Sequence, residues 1–173
     1  MKVLVTGGAG FIGSHVVDLL VQSGCRVSVV DDLSTGCFEN INPRVNFYKI
    51  DIRDQFMEET LVREKPEVVI HLAAQADVQR SLKDPRADAE INILGTLNLL
   101  NACAVCSVGK VVYASTAARY GNPCRLPLDE SHPAQPQSPY GVSKYAVEHY
   151  LRVYREVYGI KYTVLCYANV YGP

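Results

Sequence analysis

Apolar residues fall in short blocks whose spacing alternates between two periods. Residues 2–6 (KVLVT) form a β-branched run; glycines follow, and then Phe11, Ile12, Val16, Leu19 and Leu20 recur at helical spacing over 11–21 until Gly24. The pattern predicts strand, turn, helix. Strands are predicted at 26–30, 45–50 and 67–72, with a helix over 54–64 that stops before Pro66. A long helix is expected over 84–106, its apolar stripe at Ala87, Ile91, Leu94 and Leu97. A fifth strand follows at 110–114 and a polar, proline-rich loop at 122–139. A helix over 140–158 and a sixth strand at 161–167 complete the series. Strands this apolar are too hydrophobic to be half exposed, and alternation with helices implies right-handed βαβ crossovers. The expected fold is therefore α/β, a Rossmann-type doubly wound parallel sheet with helices on both faces. Ligands should bind at the carboxyl ends of its strands.

Composition narrows the function classes. The chain has 173 residues, with 17 Lys plus Arg against 18 Asp plus Glu for a formal net charge of −1, which argues against a nucleic acid or an anionic membrane as main partner. It is 48% apolar and 20% charged, far from the signature of disorder. Apolar runs such as 27–30 and 91–94 fall well short of the ~20 residues of a membrane-spanning helix. Gly7, Gly8, Gly10 and Gly13 interrupt any signal-peptide core, so a cytoplasmic protein is expected. Six cysteines, at 25, 37, 103, 106, 124 and 166, lack the spacing of a disulfide framework and are read as reduced thiols, with Cys103 and Cys106 serving helix packing. His15, His71, His132 and His149 show no ligand spacing, and no metal is expected.

Candidate chemistry sits where strands end. Residues 6–13 (TGGAGFIG) lie between the first strand and the first helix, the context a dinucleotide fingerprint requires. Glycine permits the tight turn, lets backbone amides approach a pyrophosphate and allows close helix–strand packing, while the helix amino terminus favours the anion. Two registers fit: Gly8, Gly10 and Gly13, or Gly7, Gly10 and Gly13. Phe11 and Ile12 would open the helix. Asp31, at the end of the second strand and 24 residues past Gly7, suits a carboxylate that accepts ribose hydroxyls. Asp32 adds charge that would repel a 2′-phosphate, so NAD is expected over NADP. An Asx-type turn over 31–36 is compatible with this.

Tyr140 and Lys144 stand four residues apart, on one helix face. A tyrosine ionises near pH ~10, but an adjacent ammonium and an oxidised nicotinamide would favour the phenolate and let Tyr140 take a proton.

Eight blocks in order resemble one family: 6–15 (TGGAGFIGSH), 31–36 (DDLSTG), 51–54 (DIRD), 71–78 (HLAAQADV), 92–96 (NILGT), 115–121 (STAARYG), 138–144 (SPYGVSK) and 167–173 (YANVYGP). Over its whole length the chain is similar to the extended short-chain dehydrogenase/reductases, in particular sugar-nucleotide epimerases and dehydratases of the UDP-glucose 4-epimerase type. The resemblance implies that Asp32, Ser34, Thr35 and Gly36 join Asp31 in binding the cofactor, that Asp51 and Ile52 flank the adenine, and that Leu72, Ala73 and Ala74 line the cofactor. Asn92 would orient this region, Lys144 would hold the nicotinamide ribose, and Ala168 would border the nicotinamide. Thr116 would bond the sugar 4-hydroxyl and pass its proton to Tyr140, and Asn169 would reach the substrate diphosphate.

The implied reaction is oxidation at C4 of a nucleotide-linked hexose and re-reduction on the other face of a transient 4-keto sugar, with NAD regenerated. Dehydratases of the family carry Asp-Glu after this threonine; here Ala117 and Ala118 follow, which disfavours dehydration. Two positions depart from the family: Cys166 stands where arginine is usual, and Arg119 where an apolar residue usually precedes Tyr120. Packing there is expected to differ. Pro173 closes the chain where family members begin the portion that binds the nucleotide sugar. The sequence is therefore expected to be an amino-terminal part, one incomplete NAD-binding domain over 1–173, inactive alone and homodimeric at full length. Competing readings are another enzyme of the family, such as a reductase or uronic-acid epimerase, and a noncatalytic NAD-binding sensor. Retention of Thr116, Tyr140 and Lys144 together argues against the sensor.

Overall fold

A computed structural model describes residues 1–172. Six parallel strands form one sheet: β1 (Lys2–Thr6), β2 (Arg26–Asp31), β3 (Asn46–Lys49), β4 (Val68–His71), β5 (Lys110–Thr116) and β6 (Lys161–Tyr167), in the order β3-β2-β1-β4-β5-β6. The order reverses between β1 and β4, where Thr6 pairs with His71. A crevice therefore opens at their carboxyl ends, the expected ligand site of such a sheet.

Alternate residues of β1 feed two core layers. Val3 and Val5 pack with Val17, Val27 and Val29 beneath α1 (Phe11–Gln22). Leu4 packs on the other face with Val30, Val69, Val111 and the helices α2 (Phe56–Glu64), α5 (Thr96–Val105) and α6 (Pro139–Tyr158). Both faces are covered, which explains strands apolar without alternation. Cys103 lies fully buried in the second layer, where burial pushes its thiol up. No helix of the described residues is long and apolar enough to cross a membrane.

Three features differ from the sequence pattern. A short helix, α3 (Val78–Lys83), precedes α4 (Pro85–Ala89); Asp77 and Asp84 cap them, accepting from the amides of Gln79 and Arg80 and of Ala87. The predicted long helix is α4, a π-helical turn at Glu90–Gly95, and α5. Its buried face lies one residue along from the predicted stripe: Leu94 is 58% exposed, while Asp88, Asn92, Thr96, Leu99, Leu100 and Cys103 are buried. The apolar stripe at Ala87, Ile91, Leu94 and Leu97 is thus corrected to a partly polar seam. Finally, β5 runs on to Thr116 and β2 to Asp31, carrying both residues to the crevice.

Candidate active site

The glycine turn is built by backbone contact. Gly7 has φ +73° and donates its N–H to the Val30 carbonyl at 2.8 Å; a Cβ there would lie 2.6 Å from the Ala73 nitrogen. A Cβ on Gly13 would lie 2.0 Å from the Gly7 carbonyl oxygen, so α1 can start this close to the turn only with glycine at 13. Gly10 caps α1, and Phe11 and Ile12 open it. Gly8 is also constrained, by Val29, but Gly7 alone of the two takes the left-handed conformation. A cleft of about 460 Å³ opens beside this helix end, lined by residues that include Ala9, Gly10, Phe11 and Thr35.

Asp31 ends β2 nearly buried. Its Oδ2 accepts from the Ala9 N–H at 3.0 Å and its Oδ1 from the Leu33 N–H at 2.9 Å. The second bond is the Asx turn, repeated one residue on where Asp32 Oδ1 accepts from the Ser34 amide and hydroxyl. The loop is stitched to the glycine turn by the Cys37 N–H and the Asn40 side chain, both on the Ala9 carbonyl, with Gly36 directly against Ala9. On the neighbouring loop Asp51 is gripped by Arg53, whose guanidinium holds its carboxyl below the usual carboxylate range. Ile52 is buried against Gly95.

Across the crevice, Leu72 and Ala73 follow β4, their amides donating to the Thr6 carbonyl and hydroxyl, and Ala74 follows them. Gln75 then meets Asn92 twice: the Gln75 N–H donates to Asn92 Oδ1 at 2.9 Å and Asn92 Nδ2 donates to the Gln75 carbonyl at 3.0 Å. Asn92 Nδ2 also reaches Ser143 Oγ at 3.2 Å, joining this loop to α6. Beneath lies His71, bonded to the hydroxyls of Thr6 and Thr96 at 2.6 and 2.9 Å; burial lowers its pKa to about 3, so it is neutral.

Thr116 ends β5 and accepts the Ala118 N–H at 3.1 Å, and Tyr140 opens α6 behind the Ser138 cap, which accepts from the Gly141 N–H. Burial raises the phenol's pKa, the Thr116 hydrogen bond opposes this, and the Asp88 charge adds to the rise. One turn on, Lys144 is almost wholly buried, its Nζ 4.6 Å from the centre of the Tyr113 ring; burial lowers its pKa to about 7 against the pull of Asp88 and Glu148. Ala168 and Asn169 lie exposed just after β6. Of the 167–173 block, Pro173 lies outside the described residues.

The structure thus gathers the sequence candidates at one end of the sheet, Asp51 and Asn92 already held by protein partners. Sequence reasoning missed Gln75, Asp88 and Ser143; the spacing of Asp88 and Asn92 by four was the available signal. The two departures from the family are neighbours. The Arg119 guanidinium lies 3.5 Å from Cys166 Sγ, pairs with Glu148, and stacks 4.9 Å from the rings of Tyr120 and Tyr145.

A doubly wound sheet with a glycine turn and a strand-end acid at its switch point is the arrangement of a dinucleotide-binding fold. The NAD dependent epimerase/dehydratase family model matches residues 3–173. The chain belongs to that family. It is 45% identical to the UDP-glucose 4-epimerase of Mycolicibacterium smegmatis, a match covering 100% of this chain and 57% of that protein. Among solved structures, the UDP-glucose 4-epimerase of Thermotoga maritima with UDP-glucose superposes with a TM-score of 0.98 at 49% identity. That of Thermus thermophilus with NAD superposes with 0.97 at 50%. Each match covers 100% of this chain and 57% of the other, so the chain spans a little over half the length of these relatives.

Proposed function

We propose that this chain forms the NAD-binding part, over residues 1–173, of a sugar-nucleotide 4-epimerase acting on UDP-glucose and UDP-galactose. The observation that carries the reading is the hydrogen bond of Thr116, at the end of β5, with Tyr140, and Lys144 one turn further along α6, on the same sheet whose β1 leads into the glycine turn. The similarity to proteins named UDP-glucose 4-epimerase supports it.

The fit to a dinucleotide is tested by Gly7 and Gly13, where a Cβ would strike backbone, and by the amino end of α1 behind them, which suits a pyrophosphate. Gly7, Gly10, Phe11, Ile12 and Gly13 would cradle the diphosphate, and Asp31, Asp32, Ser34, Thr35 and Gly36 the adenosine ribose. Asp51 and Ile52 would border the adenine, and Leu72, Ala73, Ala74, Lys144 and Ala168 the remainder, with Asn92 fixing the loop between them. When bound, NAD supplies a reversible two-electron acceptor for the sugar C4.

Tyr140 Oη takes the proton leaving the 4-hydroxyl and returns it to the oxygen of the 4-keto sugar. The Thr116 hydroxyl orients that oxygen, and the Lys144 ammonium lowers the cost of the phenolate. Asn169 holds the substrate diphosphate. A homodimer belongs to the same proposal, supported by Val142, Tyr150, Val153 and Val157, which lie exposed on one side of α6. So does a cytoplasmic location, which suits six unpaired thiols.

The test is conversion of UDP-galactose to UDP-glucose by the intact protein with NAD. Conversion that depends on Tyr140 supports the epimerase. NAD binding with no turnover of any nucleotide sugar favours the sensor.

A further inference from the structure

Two buried groups near the Tyr–Lys pair have unused capacity. Lys144 is 3% exposed, and among the described residues its ammonium has no hydrogen-bond acceptor or ion-pair partner, only the face of the Tyr113 ring. Asp88 is 1% exposed: its Oδ1 accepts from Gln75 Nε2 at 3.0 Å and Asn92 Nδ2 at 3.1 Å, while its Oδ2 is buried with no partner. The elements that carry them touch. α4 packs on α6, and Asn92, which bonds Asp88, also bonds Ser143, the residue before Lys144.

Asp88 Oδ2 is a buried oxygen without a partner, which is costly for a charge, and the Lys144 ammonium on the neighbouring helix is the cation that can offset it. We infer that Asp88 is the counter-charge that keeps Lys144 an ammonium, and that it is therefore a positioning residue for the Tyr140–Lys144 pair.

The other groups facing Lys144 do not fill this role. His71 on β4 is neutral, with its pKa near 3, and Tyr113 on β5 and Tyr140 on α6 are held as phenols by burial. Glu148, one turn along α6, carries charge, but both its oxygens are engaged: Oε1 by the Ser115 hydroxyl, Oε2 by the Arg119 guanidinium, which offsets it. Asp88 has only neutral amides as donors, so its charge is left over for Lys144. It is also the first charge that opposes the burial-driven fall of Lys144.

The inference rests on the proposed function only for its effect on turnover, and its test does not need substrate. In the intact protein with ¹³Cε-labelled lysine, the Lys144 resonance is titrated in the wild type, Asp88→Asn, Asp88→Ala and Asp88→Glu, and assigned by its loss in Lys144→Met. Asparagine keeps the Oδ1 acceptor and removes the charge. Its Lys144 midpoint should fall from about 7 by ~1 pH unit or more, as should that of Asp88→Ala, and Asp88→Glu should recover most of the fall. The alkaline limb of kcat should move to lower pH by the same amount.

A merely structural Asp88 would make alanine disruptive and asparagine harmless. An unchanged Lys144 midpoint in Asp88→Asn overturns the inference, whereas a shifted midpoint without any epimerase turnover leaves it standing and removes the proposed function instead. Should Asp88→Asn not fold alone, Asp88→Asn/Lys144→Met carries the test. It should melt above Lys144→Met, which strands the carboxylate, and a failure to recover overturns the pairing.

Discussion

The carboxylate of Asp31 accepts the backbone N–H of Ala9 at 3.0 Å, fastening the end of β2 to the glycine turn at the end of β1. One residue thus shapes the loop and keeps further lone pairs, which the proposed function assigns to the adenosine ribose. Asp31→Ala should weaken NAD binding by ~10–100-fold, the worth of a charged hydrogen bond, and narrow the preference for NAD over NADP. Calorimetric titration of both nucleotides checks this, and tighter NADP binding by the wild type would remove Asp31 and Asp32 from the role assigned to them.

The glycines should rank by the contact a methyl group meets. Gly13→Ala, at 2.0 Å from the Gly7 carbonyl, should cost ~3 kcal/mol or more and abolish NAD binding. Gly10→Ala, whose Cβ lies 3.3 Å from the same oxygen, should be mild. Thermal melts of the two variants, with and without NAD, give the order directly.

Much of this was legible. The order of strands and helices, the glycine turn, Asp31 and the Tyr140–Lys144 spacing follow from local pattern, because the sheet is apolar on both faces and its ligand end is fixed by topology, although β5 runs on past its predicted end to Thr116. The seam at Asp88, Asn92 and Thr96 was legible only as a spacing of four, not as a buried face. A periodicity argument assigns polar residues to solvent, whereas here Asp88, Asn92 and Thr96 face inward, toward Gln75 and Ser143, and Leu94 is left outside. The short helix α3 escaped because its signal is one cap, Asp77, without an apolar stripe. That Arg119 and Cys166 meet is a tertiary fact no local pattern holds.

His71 gives stability a definite pH dependence. Its folded pKa, about 3, lies below the unfolded 6.5. Between those values the unfolded chain binds the proton and the folded one does not, so stability rises with pH across that window and is lost as pH falls below 6.5. The slope from this residue is at most ~1.4 kcal/mol per pH unit. Denaturant melts from pH 7 to 4 should show His71→Gln less stable at pH 7 and flatter in acid. A variant with the wild-type slope would assign the acid sensitivity elsewhere.

Tyr140→Phe should lower turnover of the intact protein by ~10²–10⁴-fold with NAD affinity nearly unchanged, since in the proposed mechanism the phenol moves the proton and the glycine turn binds the cofactor. Thr116→Ala should lose less, because water can replace a hydroxyl. Steady-state kinetics beside NAD titration separates the two effects; near-normal turnover in Tyr140→Phe would exclude it as the acid–base group.

In the proposed reaction, oxidation and re-reduction occur at C4 of one sugar that stays in the site. UDP-galactose carrying deuterium at C4, incubated with the intact protein and NAD in ordinary water, reads this directly by mass spectrometry and NMR of the product. The expected product is UDP-glucose that retains the deuterium at C4 with no net change in NAD. Product that has lost the label to solvent, or net reduction of NAD without an epimer, would contradict it.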